Sequence, residues 1–354
     1  MSVADQSPGT RVSAPKKVAL PPGLAEARPE FFAPTLRGRQ HHNPWGSLKL
    51  PGPRDLLRWR MERGNRPKAR TIGELQVIDA PLERLAELRG GGRALWIGHA
   101  SFLLEVDQLR VVVDPIFGRV AGVMGRRTPA ALGPDDLPPL GAVLVTHGHH
   151  DHLDPASLKA LARRYGASLP FIVPTGLGRC LPSACARVIE LGWWESVDVD
   201  GVEVALVPAQ HWHRRIIDTN ESLWGGFVLR GSRTIYHSGD TGFFAGFEAI
   251  GAVFPGIDVA CLPLGAYEPR WFMRAQHMSP EESIDAFEAL GARHLVGMHW
   301  GAFDLSDEPI DAGPRLLHAT VAERGLDRGR FHVLWPGGSV AAGESLERVG
   351  VAEM

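Results

Sequence analysis

Cysteine is scarce in this chain: Cys180, Cys185 and Cys261 are the only three in 354 residues. So small and odd a number builds no disulfide framework and fits a reducing compartment. Cys261 lies within an apolar run and reads as core, while Cys180 and Cys185 stand in no zinc-type pattern. Long hydrophobic runs are missing too, since nothing approaches the roughly 18 apolar residues of a membrane span. The first thirty residues lack the apolar stretch of a secretory signal, which makes a cytoplasmic protein the expectation. Neither sign of charge dominates: 38 Lys+Arg against 40 Asp+Glu leave a net charge of −2, so no global field recruits nucleic acid.

What is there is ordinary globular material, 44% hydrophobic and 22% charged with a mean hydropathy of −0.08, enough for a sizeable core. Histidine is the excess: 15 residues, many at the ends of apolar runs beside Asp or Gly. Residues 1–30, rich in Pro, Ala, Ser and charge without periodicity, read as a flexible tail. Residues 31–93 read as a basic, aromatic arm packed on the core, and 94–354 as the main domain. Within 31–70, ten Lys/Arg face only Asp55 and Glu62 and are interleaved with Phe31, Phe32, Trp45 and Trp59. Those basic side chains are either solvated or form a surface for anionic lipid headgroups.

From residue 94 the chain becomes short apolar runs between turns: ALWIG, FLLEV, VVVDP, AVLVTH, FIVP, VEVALVP, LWGGFVL, TIYHSG, DVACLPL, HLVGMH and FHVLWP. Their β-branched content and length predict strands. Asp154-Pro155 predicts a helix through about Arg164, and Ser279-Pro280-Glu281-Glu282 another through about Leu290. A meander followed by alternating strands and helices predicts an α/β (α+β) domain of two face-to-face sheets with helices outside.

AVLVTHGHHDHLDP sets His147, His149, Asp151 and His152 directly after a buried strand. A loop, unlike a helix, lets His147 and His149 approach one metal while Asp151 and His152 turn to a second. Three later strand ends supply the missing donors: His211 in AQHWH, Asp240 in HSGDTG and His299 in GMHWG. His211 completes a three-His site, His299 completes the other, and Asp240 bridges them. Nitrogen and oxygen donors without thiolate suit two Zn²⁺, the second position also suiting another divalent ion. Two ions sharing one solvent molecule turn it into hydroxide near neutral pH, so hydrolysis is the default chemistry, with Asp151 orienting the nucleophile. His213 and His150 are the ambiguous neighbours and are assigned supporting or solvent roles, as His99 and His237 are assigned supporting or core ones.

The series THGHHDH, His211, Asp240 and His299 resembles the metallo-β-lactamase superfamily, which implies a four-layer αββα sandwich with a dinuclear site on one edge. NPWGS at 43–47, WIGHASFLLEVD at 96–107, DPIFG at 114–118, QHWHRR at 210–215, LGAYEPRWFM at 264–273, QHMSPEE at 276–282 and HWGAFDLSDEP at 299–309 resemble its N-acyl-phosphatidylethanolamine-hydrolysing phospholipase D family. That resemblance implies zinc-dependent phosphodiesterase chemistry in lipid metabolism, releasing an N-acylethanolamine and phosphatidic acid. It matches the seven donors to the family's metal ligands, and His277 to a histidine beside the substrate phosphate. A phospholipid substrate further implies a peripheral membrane surface, and a homodimer is expected from the commonness of closed dimers. Within hydrolases, a lactone, ester or amide hydrolase with the same site is the alternative. A redox iron enzyme is disfavoured by His149 and by the lack of a flavin domain, and a non-catalytic binding module by seven intact donors.

Overall fold

The computed structural model describes residues 10–46, 52–62, 75–215 and 218–352. A meander opens the domain: β1 (Gly92–Gly98), β2 (Ser101–Val106) and β3 (Leu109–Val113). β4 (Ala142–Leu144), β5 (Pro170–Pro174) and β6 (Arg187–Leu191) follow in parallel, with helix α3 (Pro155–Tyr165) crossing between β4 and β5. Helices α1 (Pro53–Glu62) and α2 (Pro81–Glu87) precede them. The second sheet holds β7 (Glu195–Val199), β8 (Val202–Val207), β9 (Gly226–Arg230), β10 (Thr234–His237), β11 (Val259–Pro263) and β12 (His294–Met298). Helices α4 (Gly246–Val253), α5 (Arg270–Met273), α6 (Pro280–Leu290) and α7 (Ala312–Glu323) lie between or after its later strands.

The final long strand, β13 (Phe331–Ala342), belongs to both sheets. Its start runs parallel to β12, Leu295 opposite Phe331, and its end antiparallel to β1, Ala342 opposite Gly92. The switch falls at Pro336-Gly337-Gly338, where Gly337 has φ 89° and an added Cβ would meet the Ile78 carbonyl at 3.0 Å. β14 (Leu346–Val351) pairs back on β13.

The period of two explains the layers. In β1 to β4, Trp96, Phe102, Leu104, Val111, Val113 and Leu144 join one core cluster with Leu206, Phe227 and Ile235 of the other sheet. Their alternates Leu95, Ile97, Leu103, Val112 and Val143 pack with Leu158 and Leu161 of α3. Phe247 of α4, Phe287 of α6 and Leu317 of α7 cover the second sheet. The result is the expected helix–sheet–sheet–helix order. Both predicted helices form where their signals stand: Asp154 caps α3 through the amides of Ala156 and Ser157, and Ser279 with Glu282 makes a capping box on α6.

The N-terminal expectation needs correction. Residues 1–9 lie outside the described part, but the rest of the expected free tail runs along the sheet edge. Lys16–Lys17 pairs with Glu195–Ser196, Val12 bridges Val199, and Val18 and Phe31 are buried. Apolar residues spaced through a polar stretch, together with the open edge of β7, anchor it. In the basic arm, residues 47–51 and 63–74 lie outside the described part; Trp45 stacks between Trp193 and Phe244, and Trp59 on Phe272. Among the described residues no helix is long and apolar enough to cross a membrane.

Candidate metal centre

Every candidate donor sits just past the end of a strand on one edge of the sandwich. His147 follows β4, His211 follows β8, Asp240 follows β10 and His299 follows β12. Of these donors His299 is held in left-handed backbone at φ 61°, as is the adjoining His99 at φ 60°. The strain is held by neighbours: the His99 carbonyl accepts the His299 amide at 3.0 Å and the Trp96 indole at 2.7 Å.

The structure brings all seven predicted donors together in two adjoining groups. In the first, His149 Nδ1 lies 3.0 Å from His147 Nε2 and 3.1 Å from His211 Nε2. In the second, Asp151 Oδ2 lies 3.6 Å from His152 Nε2 and 3.5 Å from His299 Nε2, and the two imidazole nitrogens are 3.3 Å apart. Asp240 stands between them, its Oδ2 3.1 Å from His152 Nε2 and 3.9 Å from His147 Nε2, its Oδ1 3.2 Å from His299 Nε2. His99, expected in a supporting role, reaches Asp151 Oδ2 with Nε2 at 3.1 Å and so borders the second group.

Proton placement decides whether this set fits cations. Thr146 donates its hydroxyl to Asp114 Oδ2 at 2.6 Å, so its oxygen accepts from His147 Nδ1 at 3.0 Å. His211 Nδ1 donates to the Gln276 carbonyl at 3.1 Å, and His152 Nδ1 to Asp114 Oδ2 at 2.7 Å. In His147 and His211 the outward nitrogen carries the proton and the inward one offers a lone pair, while His152 turns its Nε2 toward the carboxylates. Burial foremost, then the neighbouring imidazoles, holds His147 and His211 well below the usual histidine range, and burial pushes His149 down to about 3. Three uncharged nitrogens pointing at one another are frustrated without a cation.

The second group is frustrated in the opposite sense. Burial opposes the charge on His152, but Asp240, Asp151 and Asp114 raise its pKa well above the ordinary value. His299 likewise is raised against burial, to about 9, by Asp240 and Asp151. Burial would also raise Asp151 and Asp240, yet the surrounding histidines, His152 first, hold both well below the carboxylate range. A buried Asp240 and a part-buried Asp151 are thus neutralised by protons that a divalent ion can replace, and among the described residues the buried Asp240 Oδ1 has no hydrogen-bond partner. The residues fit divalent cations on both counts.

His237 donates Nε2 to the Ala100 carbonyl at 2.9 Å and accepts the Gly239 amide, fixing the turn before Asp240. His150 and His213 belong to neither group. His277 stands at the centre's rim, 5.4 Å from the His211 ring and 5.7 Å from that of His299, its buried Nδ1 3.9 Å from Asp240 Oδ2 and without a hydrogen-bond partner among the described residues. Sequence reasoning missed four supports. Asp114, whose signal was the same strand-then-Asp pattern as Asp240, also accepts the Thr146 amide at 2.7 Å. Thr146 links it to His147. Asn43 of the arm donates to the His211 carbonyl at 3.0 Å, and Arg215 donates to the carbonyls of Gly148 and Leu153, bracing the metal loop at 3.1 and 3.0 Å.

A two-sheet sandwich that gathers His and Asp donors at one edge defines a class of metal-dependent enzymes. The family described as "Beta-lactamase superfamily domain" matches residues 109–300, a span holding all seven donors. The chain is 30% identical over 313 residues, covering 81% of itself and 87% of the relative, to "N-acyl-phosphatidylethanolamine-hydrolyzing phospholipase D 1" of Caenorhabditis elegans. It is 32% identical over 241 residues, covering 66% of itself and 94% of the relative, to a "UPF0173 metal-dependent hydrolase" of Methanopyrus kandleri. Its fold is similar to that of the metallo hydrolase Igni18 from Ignicoccus hospitalis, with a TM-score of 0.55 and 24% identity, covering 74% of this chain and 99% of that one. The chain belongs to the metallo-β-lactamase superfamily, as a metal-dependent hydrolase.

Proposed function

We propose that the chain is a dinuclear zinc phosphodiesterase that cleaves N-acyl-phosphatidylethanolamine on the headgroup side, releasing an N-acylethanolamine and phosphatidic acid. His147, His149 and His211 would hold one ion, Asp151, His152 and His299 the other, and Asp240 both. Bound there, the ions would supply Lewis acidity toward phosphate oxygens and lower the pKa of a water nucleophile.

The chain's own residues do the rest. Asp151, with its Oδ2 beside His99, His152 and His299, receives a hydrogen bond from the water and orients its lone pair toward phosphorus. Asp114 keeps the tautomer of His152 fixed. His277, held neutral because burial foremost pushes its pKa to about 4, donates to a nonbridging phosphate oxygen. The observation that carries the reading is this ring: a buried, unpartnered nitrogen on the rim of both groups, where a bound phosphate needs a donor. The name of the worm relative supports the substrate.

Access to a bilayer lipid is part of the proposal. Leu57 and Met61 of α1 are 59% and 67% exposed, Trp271 of α5 is 41% exposed, and Arg58 lies over the Trp271 ring at 4.1 Å. With Arg54 and Arg60 also exposed, this patch combines apolar and basic groups for an anionic membrane surface. It leads to the centre, because the His277 amide donates to the Met273 carbonyl at the end of α5.

The test is incubation of zinc-loaded protein with N-acyl-phosphatidylethanolamine vesicles, read by mass spectrometry. Release of both products, abolished by Asp151→Asn, is the expected result. Hydrolysis of lactones or carboxylic esters with no turnover of the phospholipid would overturn the substrate reading and leave the hydrolase.

A further inference from the structure

Below the metal loop, apart from its two groups, Cys180, His213 and Asp218 bring a thiol, an imidazole and a carboxylate within 4.8 Å of one another. Cys180 ends a short 3-10 turn after β5, while His213 directly precedes the short strand Arg214–Arg215 and Asp218 opens the strand Asp218–Thr219 that pairs with it. His213 is fully buried, and among the described residues neither of its ring nitrogens meets a hydrogen-bond partner of good geometry. Its Nε2 is aimed into the cluster, 3.0 Å from Asp218 Oδ2. A buried imidazole left in this state is costly unless something else takes its lone pair.

We propose that Cys180, His213 and Asp218 form a separate cation site for a zinc-class divalent ion, which braces the metal loop from behind. Ligand atoms about 2.0–2.3 Å from a tetrahedral ion stand about 3.3–3.7 Å apart. Here the carboxylate oxygen is 3.0 Å from the imidazole nitrogen and 4.0 Å from the sulfur, so small side-chain shifts close the geometry. Thiolate with imidazole selects ions of the zinc class over magnesium or calcium. Cys180 is only half-buried, which leaves a fourth position open to water.

Competition from cations nearby is weaker than it looks. Arg179 now donates to Asp218 Oδ2 at 2.7 Å, but it also holds Glu221 at 3.0 Å and is 45% exposed, so it keeps an acidic partner if Asp218 turns to an ion. Arg215 is engaged with the loop carbonyls of Gly148 and Leu153. The consequence for the loop is direct, because His213 lies against Gly148: a Cβ added there would sit 1.9 Å from His213 Cε1. An ion that fixes His213 therefore fixes the backbone between His147 and His149.

The Asp/His centre contains no sulfur, so cobalt separates the two sites. The 354-residue chain is stripped with chelator and refilled with Co²⁺ alone, and its near-ultraviolet spectrum and metal content are measured. Sulfur-to-cobalt charge-transfer absorption is expected, lost in Cys180→Ser with about one ion per chain and kept in Cys185→Ser. No such absorption at saturating Co²⁺, or absorption unchanged in a folded Cys180→Ser, overturns the proposal. If Cys180→Ser does not fold, alkylation of the wild type decides: Co²⁺ must protect the Cys180 peptide from iodoacetamide, and equal labelling with and without the ion overturns the site.

Discussion

Asp114 Oδ2 accepts the Nδ1 proton of His152 at 2.7 Å, in a pocket where both side chains are fully buried. The bond turns His152 Nε2 toward Asp240 and joins β3 to the metal loop. Asp114→Ala leaves the His152 ring free to take the wrong tautomer. Loss of such an outer partner costs about 10–100-fold in metal affinity, which chelator competition on the folded variant measures; affinity equal to the wild type contradicts the assigned role.

The metal loop is also held from behind. Gly148→Ala drives a Cβ into the His213 ring and must move backbone between His147 and His149. We expect a loss of about 1–3 kcal/mol in stability together with weaker metal retention. Equilibrium unfolding and metal content, measured on one preparation, check both; a variant as stable and as metal-rich as the wild type would show that the loop adapts freely.

Strand ends made most of the centre legible in the sequence. Apolar runs that stop at His or Asp put His147, Asp240 and His299 on one edge, whatever the length of chain between them. Capping signals at Asp154 and Ser279 likewise fixed the starts of two helices. What stayed hidden depends on contacts between distant segments with no local signature. Asn43 meets the His211 carbonyl, and Cys180 meets His213 and Asp218, only after both sheets are assembled. The sharing of β13 between the sheets was equally hidden, because Pro336-Gly337-Gly338 reads locally as the end of a strand rather than a bend within one.

Acid should destabilise the fold through a histidine that belongs to neither donor group. His332 lies against His294 at 3.2 Å and Arg348 at 3.0 Å, and burial first, then those neighbours and His318, pushes its pKa to about 3. The unfolded chain binds this proton below about 6.5 and the folded chain does not. Stability is therefore lost as pH falls from about 6.5 toward 3, by up to about 1.4 kcal/mol per pH unit from this residue. His332→Asn should flatten the pH dependence of the melting temperature relative to wild type. Parallel curves for the two proteins would assign the acid sensitivity elsewhere.

The exposed patch on α1 and α5 should govern attachment to bilayers. Leu57→Glu with Met61→Glu removes apolar contact and adds negative charge at residues that are largely exposed, so the fold is spared. Sedimentation with anionic vesicles should show about tenfold weaker binding or less, while hydrolysis of a short-chain soluble phosphodiester stays unchanged. Unaltered vesicle binding removes the patch from the account.

The proposed hydrolysis requires water attack on the phosphorus of a phospholipid headgroup ester. It is tested most directly by running the reaction on N-acyl-phosphatidylethanolamine in water enriched in the heavy oxygen isotope. The account predicts that the label enters phosphatidic acid, whose phosphate gains the water oxygen, while the N-acylethanolamine leaves with its own oxygen and a proton. Label in the N-acylethanolamine, or no turnover by metal-loaded protein, would contradict it.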